Sequence, residues 1–575
     1  MAYSDSFGKM KTASERVVRI LFQDRFRTPY VFSFFLILFL VAYMTVEKVS
    51  SLDDHFFHIR FAATLLEKGW PALSDFRSIY YSKMGIGHEY LVYYNFLFYL
   101  ILLPFALLKP LVLGIKLYGI IAMAASFAAV YAFLKNVSAR LPFLWTLIFA
   151  AVLLQSGWLV RLSLARPFTL APVFLVAMLY AVHRRKYVLS AVIPFLYFFW
   201  HTATFMFPMC LAVGYVVSEQ FYGKRTDWKM IILPFLGTVA AVVSAFTISP
   251  GVVGYLRDVI FPVFFDTALT KRSGIAEGNE VYGRDFFAIL KSFYAFLSAL
   301  FVLGAYEIAL YVRAKRGIES VEERPDPGIR PLRLTLFLAS LVFLVGSTLS
   351  GRFLDYFVYF CILYVAIVAT DAMRFVDVRG TFRRAAAVGL AIVSSYLFVS
   401  LVFDFSTGIA GTQSYETSEG PAEWLNGNVP EGAVVFNSSW SSFPTLYYFT
   451  GDRFRYVTGL EPRFLYDLDP RLYWSWRHIG DDGTACPQEV CSDRSDLRAA
   501  YFNGGDAGKT EWYRMEGDRV ADLIGTGFGS DIVVASLGQR NFLDLMDRSD
   551  RFRRTFFDPE NSSYAVYRVV PDAGE

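Results

Sequence analysis

Long apolar stretches separated by short polar segments fill residues 30–403, and a mixed polar sequence follows them. A stretch of about 20 apolar residues matches the hydrocarbon core of a bilayer. The pattern predicts about eleven membrane-spanning helices, at residues 30–48, 114–134, 142–160, 167–182, 187–202, 203–218, 230–247, 286–312, 332–349, 354–373 and 385–403. Hydrophobic residues make up 55% of the chain, aromatic residues make up 18%, and the mean hydropathy is +0.40, which supports a polytopic α-helical membrane protein.

Basic residues concentrate in alternate loops. With residues 1–29 in the cytoplasm, the loops on that side contain Lys9, Lys11, Arg16, Arg19, Lys135, Arg140, Arg184, Arg185, Lys186, Lys224, Arg225, Arg313, Lys315, Arg316, Arg374, Arg379, Arg383 and Arg384. This distribution satisfies the positive-inside rule if residues 89–108 stay on the outer side as an interfacial or re-entrant helix. The large first outer loop is then 49–113, and the first span is a retained anchor because no cleavable signal sequence precedes it.

An odd number of spans places residues 404–575 outside the cytoplasm, in a periplasm or its equivalent. Apolar runs at Ala433–Phe436 and Asp531–Ala535 indicate strands beside helix-like segments, so an α/β domain is expected. Cys486 and Cys491 could close a small disulfide loop in an oxidising compartment or remain two free thiols. A second ligand pair with zinc spacing is missing from the sequence.

Two acidic residues, Asp53 and Asp54, follow the first predicted span at its outer end. A carboxylate there can act as a general base toward an acceptor hydroxyl, or hold a divalent cation such as Mg²⁺ or Mn²⁺ against a phosphate. The alternative is a solvated helix cap, because aspartate is favoured at helix N-termini and residues 56–68 have an amphipathic pattern. Asp54 is the candidate ligand if a metal binds.

The segment Asp54–Arg60 resembles the Asp-Pro-Tyr-Phe-Asn-Tyr-Arg segment of oligosaccharyltransferase catalytic subunits. These enzymes belong to the GT-C superfamily of polyprenyl-phosphate-dependent glycosyltransferases. The resemblance implies a GT-C-like membrane domain over residues 30–403 and a catalytic role for Asp54, with Asp53 beside it. It also places His55 and His58 near the expected acceptor site.

The segment Ser350–Phe357 is similar to the Gly-Gly-x-Arg-Phe-x-x-Tyr segment of the same family, which implies that Arg352 faces a lipid-linked donor. A guanidinium suits this role because it binds phosphate oxygens in pairs. The alternative is an interfacial arginine that extends toward water. The outer loop 249–284 resembles the family's mobile external loop, with Glu277 and Glu280 as candidates for its glutamate, although a long polar loop can simply be solvated.

The second outer loop departs from the family. Oligosaccharyltransferases carry an acidic motif there, whereas this chain has Arg161 and Arg166. These arginines would repel a cation and attract a phosphate, which predicts a donor site neutralised by arginines, with snorkelling at helix ends as the alternative. His201 is interpreted as a packed histidine.

The chain also departs from the family at the acceptor motif, which is Trp-Trp-Asp-Tyr-Gly in oligosaccharyltransferases. Here only an aromatic residue, Trp440, is retained. Glycosylation of protein sequons is therefore not expected. The leading hypothesis is a transferase of the inner cell membrane that moves a sugar or glycan from a polyprenyl-phosphate-linked donor to a glycan, lipid or protein acceptor in envelope glycan synthesis. A flippase or transporter of lipid-linked substrates and a non-catalytic assembly protein are the alternatives, and no nucleic-acid partner is expected.

Overall fold

The computed structural model describes residues 27–44, 54–69, 95–155, 158–248, 256–257, 285–316, 328–372, 396, 399–400, 403, 407, 414–460 and 462–571. The predicted span 385–403 lies almost wholly outside these residues, as do Asp53, Glu277 and Glu280. The helices described before the C-terminal region are α1 Arg27–Met44, α2 His55–Lys68, α3 Phe96–Ala106, α4 Leu111–Asn136, α5 Pro142–Gln155, α6 Leu159–Leu162, α7 Ala171–His183, α8 Tyr187–Trp200, α9 Phe207–Phe221, α10 Lys229–Ile248, α11 Phe286–Lys315, α12 Arg330–Leu349 and α13 Phe353–Ala372.

The predicted polytopic helical architecture is confirmed. Each predicted span from 30–48 to 354–373 coincides with one of these helices. Within the described residues, seven helices are long and apolar enough to cross a membrane, and α3, α5, α7 and α8 are shorter apolar helices. α13 is almost completely buried between its neighbours, whereas α1 and α10 expose most of their apolar surface. Exposed apolar helix faces are suited to lipid, because lipid tails are as apolar as the side chains that meet them.

Helix α3 occupies the segment that the charge distribution assigned to the outer surface. It contains 11 residues with Pro104 inside, so its length is about 16 Å at 1.5 Å per residue, about half the hydrocarbon thickness. The His58 imidazole Nδ1 and the Tyr99 hydroxyl lie 2.8 Å apart, which ties α3 to α2. The membrane topology itself stays a prediction.

The C-terminal region folds around a five-stranded sheet. Its elements are α14 Glu419–Asn428, β1 Val434–Asn437, α15 Phe443–Thr450, β2 Arg455–Tyr456, α16 Arg463–Leu468, α17 Pro470–Asp482, α18 Ser492–Asn503, α19 Gly505–Asp522, β3 Ile532–Ser536, α20 Arg540–Arg548, β4 Phe552–Phe557 and β5 Tyr564–Val569. The strand order is β2-β1-β3-β5-β4. β1 is parallel to β2 and β3, with Val435 opposite Ile532, and β5 is antiparallel to both β3 and β4. The predicted strands are β1 and β3, and the predicted α/β domain is confirmed.

Helix α2 packs against the C-terminal domain. The ring of Phe57 lies 5.6 Å from that of Phe443 and 5.2 Å from that of Tyr447, both on α15. The Lys68 ammonium is 2.6 Å from the Asp452 carboxylate just after α15. Buried aromatic contacts dominate this junction, because an exposed ion pair contributes only about 0–1 kcal/mol.

Candidate active site

The segment between α5 and α7 is held against the helix bundle by close contacts. A Cβ at Gly119 on α4 would lie 2.2 Å from the Ser163 carbonyl oxygen, so only glycine permits this approach. The Trp200 indole N–H donates a 2.6 Å hydrogen bond to the Pro167 carbonyl. Thr169 donates from its hydroxyl to the Leu164 carbonyl at 2.9 Å. These contacts fix the loop segment that contains Arg161 and Arg166.

Arg161 is paired with a carboxylate that the sequence analysis did not select. Its Nε and Nη2 donate to the two carboxylate oxygens of Asp355 at 3.3 and 3.1 Å. The Trp158 indole N–H donates to the same carboxylate. The guanidinium also lies 4.8 Å from the Trp158 ring and 4.9 Å from the Phe168 ring, so it is packed between two aromatic faces. Asp355 is 3% exposed, which makes this a buried ion pair.

Arg166 forms an ion pair with Asp54. The Arg166 side chain is 8% exposed and that of Asp54 is 23% exposed, so solvent still reaches the carboxylate. Arg166 lies 5.0 Å from the same Phe168 ring that contacts Arg161. Asp54 precedes α2 at the N-cap position but makes no side-chain capping bond. The alternative of a solvated cap therefore does not describe its contacts in the structure.

Arg352 precedes Asp355 by three residues, at the start of α13. Its charge acts on both His201 and Tyr356. The His201 Nδ1 lies 2.6 Å from the Thr204 hydroxyl and 3.4 Å from the Tyr356 hydroxyl. His201 is thus packed in a hydrogen-bonded cluster next to this arginine.

Asp54, Arg161, Arg166, Arg352 and Asp355 form what we call the charge cluster. Asp54 lies at the start of α2, and Arg352 and Asp355 lie at the start of α13. Arg161 lies on α6, and Arg166 lies in the loop between α6 and α7. Three guanidinium groups and two carboxylates belong to this cluster. Guanidinium groups favour the binding of an anion.

The two histidines of the first-loop motif are buried rather than exposed to an acceptor. His55 is 0% exposed and His58 is 4% exposed. Burial lowers the pKa of His58 well below its ordinary value, and the positive charges of Arg166 and His55 act in the same direction. Trp440 packs against the core of the C-terminal domain that contains Phe436 and Trp476. The contacts of the described residues thus place Trp440 in a different cluster from Asp54.

The depressed pKa of His58 predicts loss of stability in acid. The unfolded chain takes up a proton near pH 6.5 while the folded chain does not, so stability is complete above pH 6.5 and falls below it by up to about 1.4 kcal/mol per pH unit. We expect the Tm of the detergent-purified protein to fall more between pH 7.5 and 5.5 than that of His58→Gln. Parallel Tm profiles for the two proteins would contradict this expectation.

The described residues around Asp54 suit a phosphate better than a divalent cation. A metal site needs carboxylate or carbonyl oxygens, whereas the Asp54 carboxylate is bonded by a guanidinium. The group with metal-ligand proximity in the described part of the chain is His478, Cys486 and Cys491. There the two cysteines form a disulfide, which selects one of the alternatives left open by the sequence. A thiolate pair for a metal is not available in this state.

No family model and no curated protein matches the chain. Sixteen chains of solved structures are similar to it, among them the following two. The arabinofuranosyltransferase AftD from mycobacteria, solved by cryo-electron microscopy, has a TM-score of 0.51 and 16% identity, over 96% of this chain and 42% of that one. ArnT from Cupriavidus metallidurans, crystallised with undecaprenyl phosphate, has a TM-score of 0.51 and 13% identity, over 95% of this chain and 98% of that one. This chain thus spans less than half of AftD and matches nearly all of ArnT. The chain therefore shares the multi-pass membrane fold of these two solved structures.

Proposed function

We propose that this chain is a membrane glycosyltransferase that transfers a sugar or glycan from a polyprenyl-phosphate-linked donor to an acceptor on the outer face of the membrane. The charge cluster is the observation that carries the proposal, because it combines a partly exposed carboxylate with arginines at one end of the helix bundle. The fold supports it, since ArnT was crystallised with undecaprenyl phosphate. A lipid phosphate is an anion that guanidinium groups can bind.

The chemistry needs one base and one anion-stabilising group. An acceptor hydroxyl oxygen attacks the anomeric carbon, the bond from that carbon to the phosphate oxygen breaks, and the polyprenyl phosphate leaves with the bonding electrons. Asp54 accepts the hydroxyl proton. Arg161, Arg166 and Arg352 stabilise the negative charge that develops on the leaving phosphate. Glu277 and Glu280 remain candidates for a loop that closes over the donor.

The pairing of Asp54 with Arg166 suggests how donor binding prepares the base. A phosphate that binds Arg166 competes with the Asp54 carboxylate for the same guanidinium. Asp54 is then released next to the donor and can bond to the acceptor hydroxyl. The base is thus held in an inactive pair until the donor arrives.

Loss of the gene tests the proposal. In cells lacking this chain, we expect one surface glycan to disappear and its polyprenyl-linked donor to accumulate on the outer leaflet. Wild type should restore the glycan, and so should Asp544→Ala, which removes an exposed carboxylate remote from the cluster. Unchanged glycans would contradict the proposal, and accumulation confined to the inner leaflet would favour a flippase.

The predicted topology has its own test. In a Cys210→Ser background, a cysteine introduced by Arg184→Cys should resist a membrane-impermeant thiol reagent in intact cells and react after the membrane is opened. Ala500→Cys, at an exposed position in the C-terminal domain, should react in intact cells. Labelling of the first variant in intact cells would overturn the loop assignment.

A further inference from the structure

A polar cavity lies at the end of the helix bundle opposite the charge cluster. Its volume is about 400 Å³, and its lining includes His183, Arg184, Arg185, Glu219, Lys224 and Asp371. α13 connects it to the charge cluster, since Asp355 lies near one end of this helix and Asp371 near the other. Sixteen residues separate these two aspartates, which corresponds to about 24 Å of helix. The cavity and the charge cluster are therefore near opposite surfaces of the membrane.

The carboxylates of the cavity are already paired. Glu219 accepts two hydrogen bonds from Arg185, at 2.6 and 2.7 Å. Asp371 is paired with Arg333, which also bonds to Glu307 at 2.8 Å. Each carboxylate of the lining thus has a guanidinium partner, and Arg185 is also paired with Asp227 at 3.4 Å, just as Arg333 is also paired with Glu307.

Two cationic side chains of the lining remain without a carboxylate partner among the residues that the structure describes, namely Arg184 and Lys224. Arg184 donates to the backbone carbonyl of Asn136. The wall also contains His183, whose Nδ1 lies 3.1 Å from the Tyr215 hydroxyl. The lining thus has hydrogen-bond donors, and its three cations, Arg184, Arg185 and Lys224, exceed its two carboxylates by one positive charge.

The N-terminal end of α12 adds positive electrostatic potential to the cavity. Gly328 and Ile329 line the cavity directly before the first residue of this 20-residue helix. The N-terminal end of a helix carries partial positive charge and unpaired N–H groups. Basic pockets between membrane helices on the cytoplasmic side are suited to phosphate-bearing lipid headgroups.

We propose that this cavity binds a phosphate group at the inner surface of the membrane, through Arg184 and Lys224. The phosphate can belong to an anionic lipid headgroup or to free phosphate, and both offer the same oxygens to the two cations. The site is separate from the proposed transferase site, and its occupancy does not depend on that function.

The test measures the Tm of the full chain in neutral detergent against added phosphatidylglycerol, phosphatidylcholine or inorganic phosphate. A double variant, Arg184→Ala with Lys224→Ala, is compared with a matched double variant, Lys186→Ala with Arg225→Ala. The matched variant removes the same charge from neighbouring exposed positions that do not line the cavity. Arg184→Lys keeps the charge and should retain binding.

We expect a phosphate-bearing probe to raise the Tm of wild type and of the matched variant. The half-saturating concentration should rise about thirtyfold in the cavity variant, since each basic residue contributes about a factor of five. A response to phosphatidylglycerol alone identifies a lipid headgroup, and a response to inorganic phosphate identifies free phosphate. Equal responses from the two double variants, or no response of wild type to either phosphate-bearing probe, would overturn the proposal.

Discussion

Replacing Asp54 with asparagine should reduce the transfer rate by a factor of about 10² to 10⁴, the range that a positioned general base contributes. The amide oxygen can still accept a hydrogen bond from Arg166, so the first outer loop should keep its place. It cannot take up the acceptor proton. The rate is measured with purified protein and the lipid-linked donor that accumulates in cells lacking the gene.

Two comparisons make the Asp54 result interpretable. Asp544→Ala should keep the wild-type rate, because this exposed carboxylate lies on α20 in the C-terminal domain. Asp54→Glu keeps the carboxylate but displaces it by one methylene, so its rate should fall between those of wild type and asparagine. If Asp54→Asn turned over as fast as wild type, Asp54 would not be the base.

Replacing Asp355 with alanine should lower the free energy of unfolding by about 3–5 kcal/mol, the cost of leaving a buried charge unpaired. The variant removes the carboxylate that accepts from both Arg161 and the Trp158 indole. A drop in the Tm of the detergent-purified protein measures the effect. Asp355→Asn retains hydrogen-bond acceptance and should lose less.

Activity separates the two roles of Asp355. If this carboxylate also positions Arg161 toward the donor phosphate, Asp355→Asn should raise the KM for the lipid-linked donor more than it lowers kcat. If Asp355→Ala had the same Tm as Asp544→Ala, the buried ion pair would not contribute the expected stability.

The membrane helices and two strands could be predicted because their signals are local. Twenty apolar residues in sequence predict a span whatever surrounds them, and the runs at β1 and β3 have the length and residue types of strands. The pairing of Cys486 with Cys491 was one of two local alternatives. The order and mixed direction of the five strands could not be predicted in this way. They depend on contacts between residues about 100 positions apart in the sequence, such as Val435 and Ile532.

The partners in the charge cluster could not be predicted from local pattern. Asp54 and Arg166 are 112 positions apart, and Arg161 and Asp355 are 194 apart. Asp355 itself offered a signal, since an acidic residue in the first turn of an apolar span is costly unless it is paired. The burial of His58 gave no such signal, because its neighbours in sequence include both apolar and charged residues.

The contact between α2 and the C-terminal domain couples the position of Asp54 to that domain. Asp54 immediately precedes α2, which has 14 residues and is about 20 Å long. The Phe57 ring of this helix packs against α15, and Lys68 at its C-terminal end pairs with Asp452. A helix of this length moves nearly as a rigid rod. If the C-terminal domain tilts, either Asp54 moves relative to Arg166 or the aromatic contact between α2 and α15 breaks. The position of this carboxylate therefore depends on the orientation of a domain that begins about 350 residues later in the chain.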